Sequence, residues 1–217
     1  MNDEAWRVGI LFSQSGLTAA VEQTMVNGTV LAIREVNAAG GVRGKKIEYI
    51  SYDPEASPKK YKEYARRLLT QDHVKTIFGG YMSSCRKAAL PEVEANRGLF
   101  FYPTVYEGFE YSPRCYYTGA ASNQGAPQLV RFLMQRYGSK FLLVGSNYVF
   151  PYEYNRVMTD LVVQAGGNVT DEVYVPMDPG IEDFRKLMRA AERNRPDVIV
   201  STVVGRGIGH LYEAYIE

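Results

Sequence analysis

Two serines, Ser83 and Ser84, follow the run Gly79-Gly80-Tyr81-Met82 at the point where an apolar stretch gives way to a helical pattern. A strand-to-helix turn of this kind leaves the first backbone N–H groups of the helix without intrahelical acceptors, pointing out along its axis. A serine hydroxyl beside them can both donate and accept. The combination suits a carbonyl or carboxylate oxygen. Tyr81 lies two residues ahead of Ser83, and Tyr102, Thr104 and Tyr106 come from the end of the next apolar run. Tyr148 and Phe150 stand at the end of a later one. Several tyrosine rings around one serine would form a small, nearly closed, neutral box. From periodicity alone the same rings serve equally well as packing between two lobes.

Other chemistries find few residues to carry them. Nucleotide binding after the first apolar run needs G-x-G-x-x-G, but the chain has Phe12-Ser-Gln-Ser-Gly-Leu-Thr18, with a single glycine. Gly44-Lys45-Lys46 lacks the Ser or Thr of a phosphate loop and leads into a strand rather than a helix. The two histidines, His73 and His210, fall in different halves, so no clustered metal site is expected. Cys85 sits in a first helical turn, where the dipole could lower a thiol pKa. A Cys-His enzyme needs a histidine at hand, and a serine hydrolase needs a G-x-S-x-G elbow; both are missing. No catalytic residue, metal or cofactor is expected, and Cys85 and Cys115 read as two buried thiols.

Composition narrows the class further. The chain has 217 residues, with 25 Lys and Arg against 24 Asp and Glu and a formal charge of +1. No basic run stands out, so direct nucleic-acid binding is not expected. No stretch approaches the ~18 apolar residues of a membrane span, so no membrane insertion is expected either. The start, Met-Asn-Asp-Glu-Ala-Trp-Arg, lacks the basic and apolar regions of a secretory signal. The expectation is a cytoplasmic chain, or a periplasmic one whose signal has been removed.

The elements that must position these residues follow from periodicity. Strands are predicted over residues 6–12, 46–52, 74–78, 99–102 and 115–118, then 140–145, 169–175 and 198–204. Helices are predicted between them, over 19–39, 58–71, 83–96, 123–137, 151–165, 181–193 and from 207 onward. Ser83 or Ser84 is expected to cap the third helix, and an aromatic loop spans 103–113. Strands alternating with helices imply an α/β fold with parallel sheets flanked by helices. The array is long for one sheet, and a boundary is placed near residues 119–123. That gives an N-terminal lobe over 1–119 and a second lobe over 120–217. In such sheets ligands bind at the carboxyl ends of the strands, where Ser83 and its aromatic neighbours lie.

At these residues the sequence resembles the type I periplasmic-binding-protein superfamily, in the branch of Leu/Ile/Val receptors. Within it the likeness is greatest to the amide sensors that negatively regulate aliphatic amidase operons. It rests on Val8-Gly-Ile-Leu-Phe-Ser, Ser15-Gly-Leu-Thr-Ala, Asn37-Ala-Ala-Gly-Gly-Val, Gly80-Tyr-Met-Ser-Ser and Arg86-Lys-Ala. It continues through Tyr106-Glu-Gly-Phe-Glu-Tyr-Ser-Pro, Gly145-Ser-Asn-Tyr-Val-Phe-Pro and Ser201-Thr-Val-Val-Gly. The first strand and the Gly-Gly turn are shared widely in the superfamily. The Gly-Tyr-Met-Ser and Tyr-Glu-Gly-Phe-Glu-Tyr-Ser-Pro stretches are narrower. Urea-binding transport receptors are the next nearest group.

The resemblance implies two α/β lobes joined by a hinge and closing on a ligand, with no chemistry done on it. It places Tyr81, Ser83, Tyr102, Thr104, Tyr148 and Phe150 on the ligand-binding positions, with Ser83 at the ligand's polar end. Phe150 departs from the sensor pattern, which has a tyrosine there, and matches the urea-receptor pattern. Family members are longer, so the chain is expected to stop within the second lobe and its cut sheet to promote a homodimer. Two functions follow as expectations. One is a sensor of small neutral amides that controls an RNA-binding antiterminator protein. The alternative is a substrate-binding protein that hands urea, a short-chain amide or a branched-chain amino acid to an ABC-transporter permease.

Overall fold

The computed structural model describes residues 5–217. The chain divides into two compact units. The first runs up to Val105 and resumes at Phe109–Gly119; the second comprises Tyr106–Gly108 and Ala120–Glu217. The chain thus leaves the first unit briefly at Tyr106, returns at Phe109, and leaves for good at Ala120.

The first unit carries β1 (Ala5–Leu11), α1 (Ala19–Ala38), β2 (Lys46–Tyr52), α2 (Pro58–Thr70), β3 (Thr76–Gly79), α3 (Ser83–Ala95), β4 (Leu99–Tyr102) and β5 (Cys115–Tyr117). Its sheet has the order β2-β1-β3-β4-β5, and the strands pair in parallel. The apolar run of β1 feeds both faces, as a strand buried on each side must. Val8, Ile10 and Phe12 join Val26 and Ile33 of α1 in one core. Gly9 points to the opposite side, where a Cβ would lie 2.9 Å from Leu68 of α2, so glycine there lets the helix approach closely. The start of α2 follows its sequence signal: Ser57 Oγ accepts from Lys60 N–H, and Pro58 occupies the first turn.

The second unit carries α4 (Ser122–Arg136), β6 (Lys140–Ser146), α5 (Val149–Gln164), β7 (Asn168–Val175), α6 (Ile181–Asn194), β8 (Val198–Thr202) and α7 (Gly207–Ile216). Its strands run parallel in the order β7-β6-β8. Alternation along β6 divides the core. Phe141 and Leu143 pack with Ala126, Val130, Met158 and Val162 of α4 and α5. Leu142 and Val144 pack with Phe184, Leu187 and Leu211 of α6 and α7. Each such buried side chain contributes about 1.5–3 kcal/mol, which fixes the strand and hence what lies at its carboxyl end.

Some predicted boundaries shift. Val74 is buried but lies ahead of β3, which begins at Thr76. α5 starts at Val149 rather than 151, and β8 ends at Thr202 rather than 204. Among the described residues no helix is long and apolar enough to cross a membrane.

Candidate functional site

At the carboxyl end of β3 the chain turns sharply. Gly80 has φ +85°, and a Cβ on it would lie 2.9 Å from the Tyr102 ring. Both the left-handed backbone and the close ring require glycine here. Two side chains from beyond the end of β4 and its last residue hold the turn. Tyr102 OH donates to the Tyr81 carbonyl at 2.6 Å, and Thr104 Oγ1 donates to the Gly80 carbonyl at 3.0 Å. Gly80 N–H in turn donates to the Leu11 carbonyl at 3.0 Å. The turn's carbonyls are therefore tied back into the unit, and α3 begins directly behind them.

The N-cap of α3 is Met82, not a serine; Ser83 is the first helical residue. Ser83 is buried at 1% exposure, and its Oγ accepts from Arg86 Nη1 at 3.2 Å. Arg86 lies one turn along the helix on the same face and is itself fully buried. Its Nε donates to Glu110 Oε1 at 2.7 Å, and its guanidinium lies 4.7 Å from the Tyr102 ring centre and 5.6 Å from that of Tyr117. Glu110 also accepts from Lys87 Nζ and Tyr117 OH, each at 2.7 Å. Burial alone would raise the Glu110 pKa, but the hydrogen bonds from Lys87, Arg86 and Tyr117 outweigh it and hold the carboxyl down at about 2. The surroundings of Ser83 are thus not the neutral box expected from the tyrosines. A buried cation stands one contact away, and two cations share one carboxylate.

The other loop at this end of the sheet, between β1 and α1, is built on two carboxylates that composition and spacing did not single out. Glu22 Oε2 accepts from Ser13 N–H at 2.7 Å and from Tyr61 OH at 2.5 Å, and Oε1 accepts from Thr18 Oγ1. Burial is the main influence on this group and raises its pKa despite those donors. Asp53 accepts from Gln14 N–H at 2.9 Å and Ser15 Oγ at 2.7 Å. Burial raises the Asp53 pKa, and hydrogen bonds from Ser15, Gln14 and Glu55 lower it further than burial lifts it. The available signal was Glu22 in the first turn of a predicted helix, four residues after a threonine. Tyr81 is partly buried, and burial, followed by the charge of Glu22, raises its pKa.

Cys85 is a buried free thiol, pushed up to about 12 chiefly by burial and then by Glu22. The dipole effect that could have activated it does not prevail, and Cys85 packs as a structural residue. Cys115 is also free and buried. Among the described residues no group of His, Cys, Asp and Glu could hold a metal ion.

In the second unit Tyr148 is the N-cap of α5 and Phe150 its second residue, so both sit past the strand rather than on it. The Tyr148 and Phe150 rings lie 6.5 Å apart, and Phe150 stacks on Tyr154 at 5.6 Å. Behind them, buried Asn155 donates through Nδ2 to Tyr174 OH at 3.4 Å and accepts through Oδ1 from Thr202 Oγ1 at 3.3 Å. This links the carboxyl ends of β7 and β8 to α5. Tyr81, Ser83, Tyr102 and Thr104 come together in the first unit, Tyr148 and Phe150 in the second. Tyr102 and Thr104 spend their hydroxyls on backbone carbonyls.

A family model described as "Periplasmic binding protein domain" matches residues 6–217. The chain belongs to that family. The Leu/Ile/Val-binding protein of Escherichia coli strain K12 is 22% identical over 199 residues, which are 89% of this chain and 53% of that protein. A Leu/Ile/Val-binding protein homologue of Brucella melitensis is 34% identical over 96 residues, covering 44% of this chain and 24% of its own length. The fold of this periplasmic-binding domain matches that of an ABC-transporter solute-binding protein from Rhodopseudomonas palustris, solved with 3,4-dihydroxybenzoic acid. The TM-score is 0.84 at 22% identity, with 99% of this chain and 58% of that one covered. A branched-chain amino acid receptor from Streptococcus pneumoniae, solved with isoleucine, gives a TM-score of 0.73 at 17% identity over 91% of this chain and 64% of its own. The chain spans about half the length of the curated relatives it matches. These relatives are named as binding proteins.

Proposed function

We propose that this chain carries the solute-binding region of an ABC-transporter receptor for a short-chain amide or urea, working in the periplasm with a membrane permease. The observation that carries the reading is the β3–α3 turn. Its carbonyls are tied back by Tyr102 and Thr104, and Ser83 follows at the first position of a 13-residue helix. A turn so arranged offers donors to a ligand's oxygen. Arg86 and Lys87 share one carboxylate, Glu110, while Glu22 and Asp53 stand on the β1–α1 loop at the same end of the sheet. Relatives are named for Leu, Ile and Val, so the choice between an amide and an amino acid falls to the titration below. Tyr81, Ser83, Tyr102 and Thr104 are the first unit's contribution, the last two by shaping the turn. Tyr148 and Phe150 are proposed as the second unit's contribution from their place at the carboxyl end of its own sheet.

The solved structures named as transporter solute- or substrate-binding proteins support transport over amidase regulation. The sensor reading keeps the support of the stretches around Tyr81 and Tyr106, whose Arg86, Lys87 and Glu110 form one cluster. Calorimetric titration of the intact protein with acetamide, urea and leucine tests the ligand class. Binding of acetamide or urea in preference to leucine is expected; binding of leucine alone would overturn the reading. Co-purification with permease subunits is expected, and co-purification with an RNA-binding antiterminator instead would move the assignment to the sensor.

A further inference from the structure

Arg86 is a fully buried guanidinium, and among the described residues the other buried charged side chains are carboxylates, Glu22 and Glu107. Burying a charge is unfavourable, and an apolar residue of similar volume often serves stability as well or better. The pair with Glu110 therefore calls for a role besides stability. Its geometry supplies one. The guanidinium reaches Ser83 Oγ through Nη1 and Glu110 Oε1 through Nε, while its face covers Tyr102. Tyr102 is the residue that ties down the Tyr81 carbonyl. A guanidinium is planar and only donates, so one rigid fork sets where the Ser83 oxygen sits and where the Tyr102 ring lies. Glu110 sets the fork. It is held by Lys87 and Tyr117 as well, and lies two residues past the short Tyr106–Gly108 excursion into the second unit.

We propose that Arg86, braced by Glu110, is a positioning residue for Ser83: it holds the hydroxyl in the orientation that meets the oxygen of a bound solute. The proposal rests on the reading of Ser83 as a ligand contact. Lysine cannot replace arginine here, because an ammonium is a point charge and cannot span both partners as a planar fork.

The test combines two measurements on the intact protein. The first is a double-mutant cycle between Arg86→Lys and Ser83→Ala, read by calorimetry with acetamide and urea as probes. Arg86→Lys is expected to weaken binding about tenfold when Ser83 is present and less than about twofold in the Ser83→Ala background, the non-additivity of groups that act together. Equal losses in both backgrounds would make Arg86 a merely structural residue and overturn the proposal. The second measurement needs no ligand. The side-chain scalar couplings of Ser83 are expected to report one rotamer in the parent and averaging among rotamers in Arg86→Lys and in Glu110→Gln. An unchanged rotamer in both variants would also overturn it. If neither probe binds the parent, the amide or urea reading fails, and the rotamer measurement decides the positioning role by itself. If Arg86→Lys does not fold, Glu110→Gln carries the same rotamer test.

Discussion

The hydroxyl of Tyr102 donates a 2.6 Å hydrogen bond to the backbone carbonyl of Tyr81. The donor ends β4, and the acceptor lies in the turn between β3 and α3. The bond fixes the turn from behind, while Arg86 covers the donor's ring. Tyr102→Phe keeps that ring and removes only the hydroxyl. It is expected to cost about 1–2 kcal/mol by removing the hydroxyl's hydrogen bond to a part-buried carbonyl. Urea denaturation checks this through its midpoint; an unchanged midpoint would mean that water replaces the hydroxyl freely.

Gly80→Ala meets two obstacles, a φ of +85° and a Cβ placed 2.9 Å from the Tyr102 ring. The expected destabilisation is more than about 1 kcal/mol. The damage should be concentrated in the turn, so hydrogen exchange at Gly80 and Tyr81 should accelerate more than exchange in β1. Uniform acceleration would place the strain elsewhere.

Glu110 gives the acid limb of the stability profile. Its folded pKa, about 2, lies below the ordinary value of 4.5. A depressed carboxyl contributes stability that is present above the unfolded pKa and lost as pH falls through the folded one. Stability should therefore decline between about pH 4.5 and 2. Glu110→Gln should remove that part of the decline, on the order of 1–2 kcal/mol after solvent screening. Chemical denaturation across this range measures it, and an identical slope in parent and variant would contradict the role given to the cluster.

Glu22 acts with the opposite sign. Burial raises its folded pKa above 4.5. Its contribution is fully present below the unfolded pKa and is lost as pH rises through the folded value. Acidification from neutrality toward about pH 4.5 should thus relieve the cost of the buried charge. Glu22→Gln should flatten this limb while leaving the Glu110 limb in place. Persistence of the rise in Glu22→Gln would assign it to another group.

Much of the α/β architecture is legible because period and punctuation agree. β6 reads as an unbroken apolar run because both of its faces are buried, and Gly166-Gly167 follows the helix before β7 where a stop is required. The Gly79-Gly80 turn is legible for the same reason. Side-chain commitments are not. Nothing in one-dimensional spacing says that Tyr102 and Thr104 give their hydroxyls to backbone carbonyls, because those partners lie more than twenty residues away. Ser83 and Arg86 are three apart on a helix, a spacing that brings side chains together. That signal was present, but Glu110, from a loop with no periodicity, was needed to make a buried arginine sensible. Glu22 escaped for a similar reason: its donors Ser13 and Tyr61 arrive from a loop and from another helix.

The most direct measurement is calorimetric titration of the intact protein and its Ser83→Ala variant with acetamide and urea. The account predicts that one of them binds the parent and that Ser83→Ala weakens it by about 1–2 kcal/mol, roughly five- to thirtyfold, as for a lost buried hydrogen bond. Parent and variant binding the same solute with equal affinity would contradict it and place the site away from the β3–α3 turn.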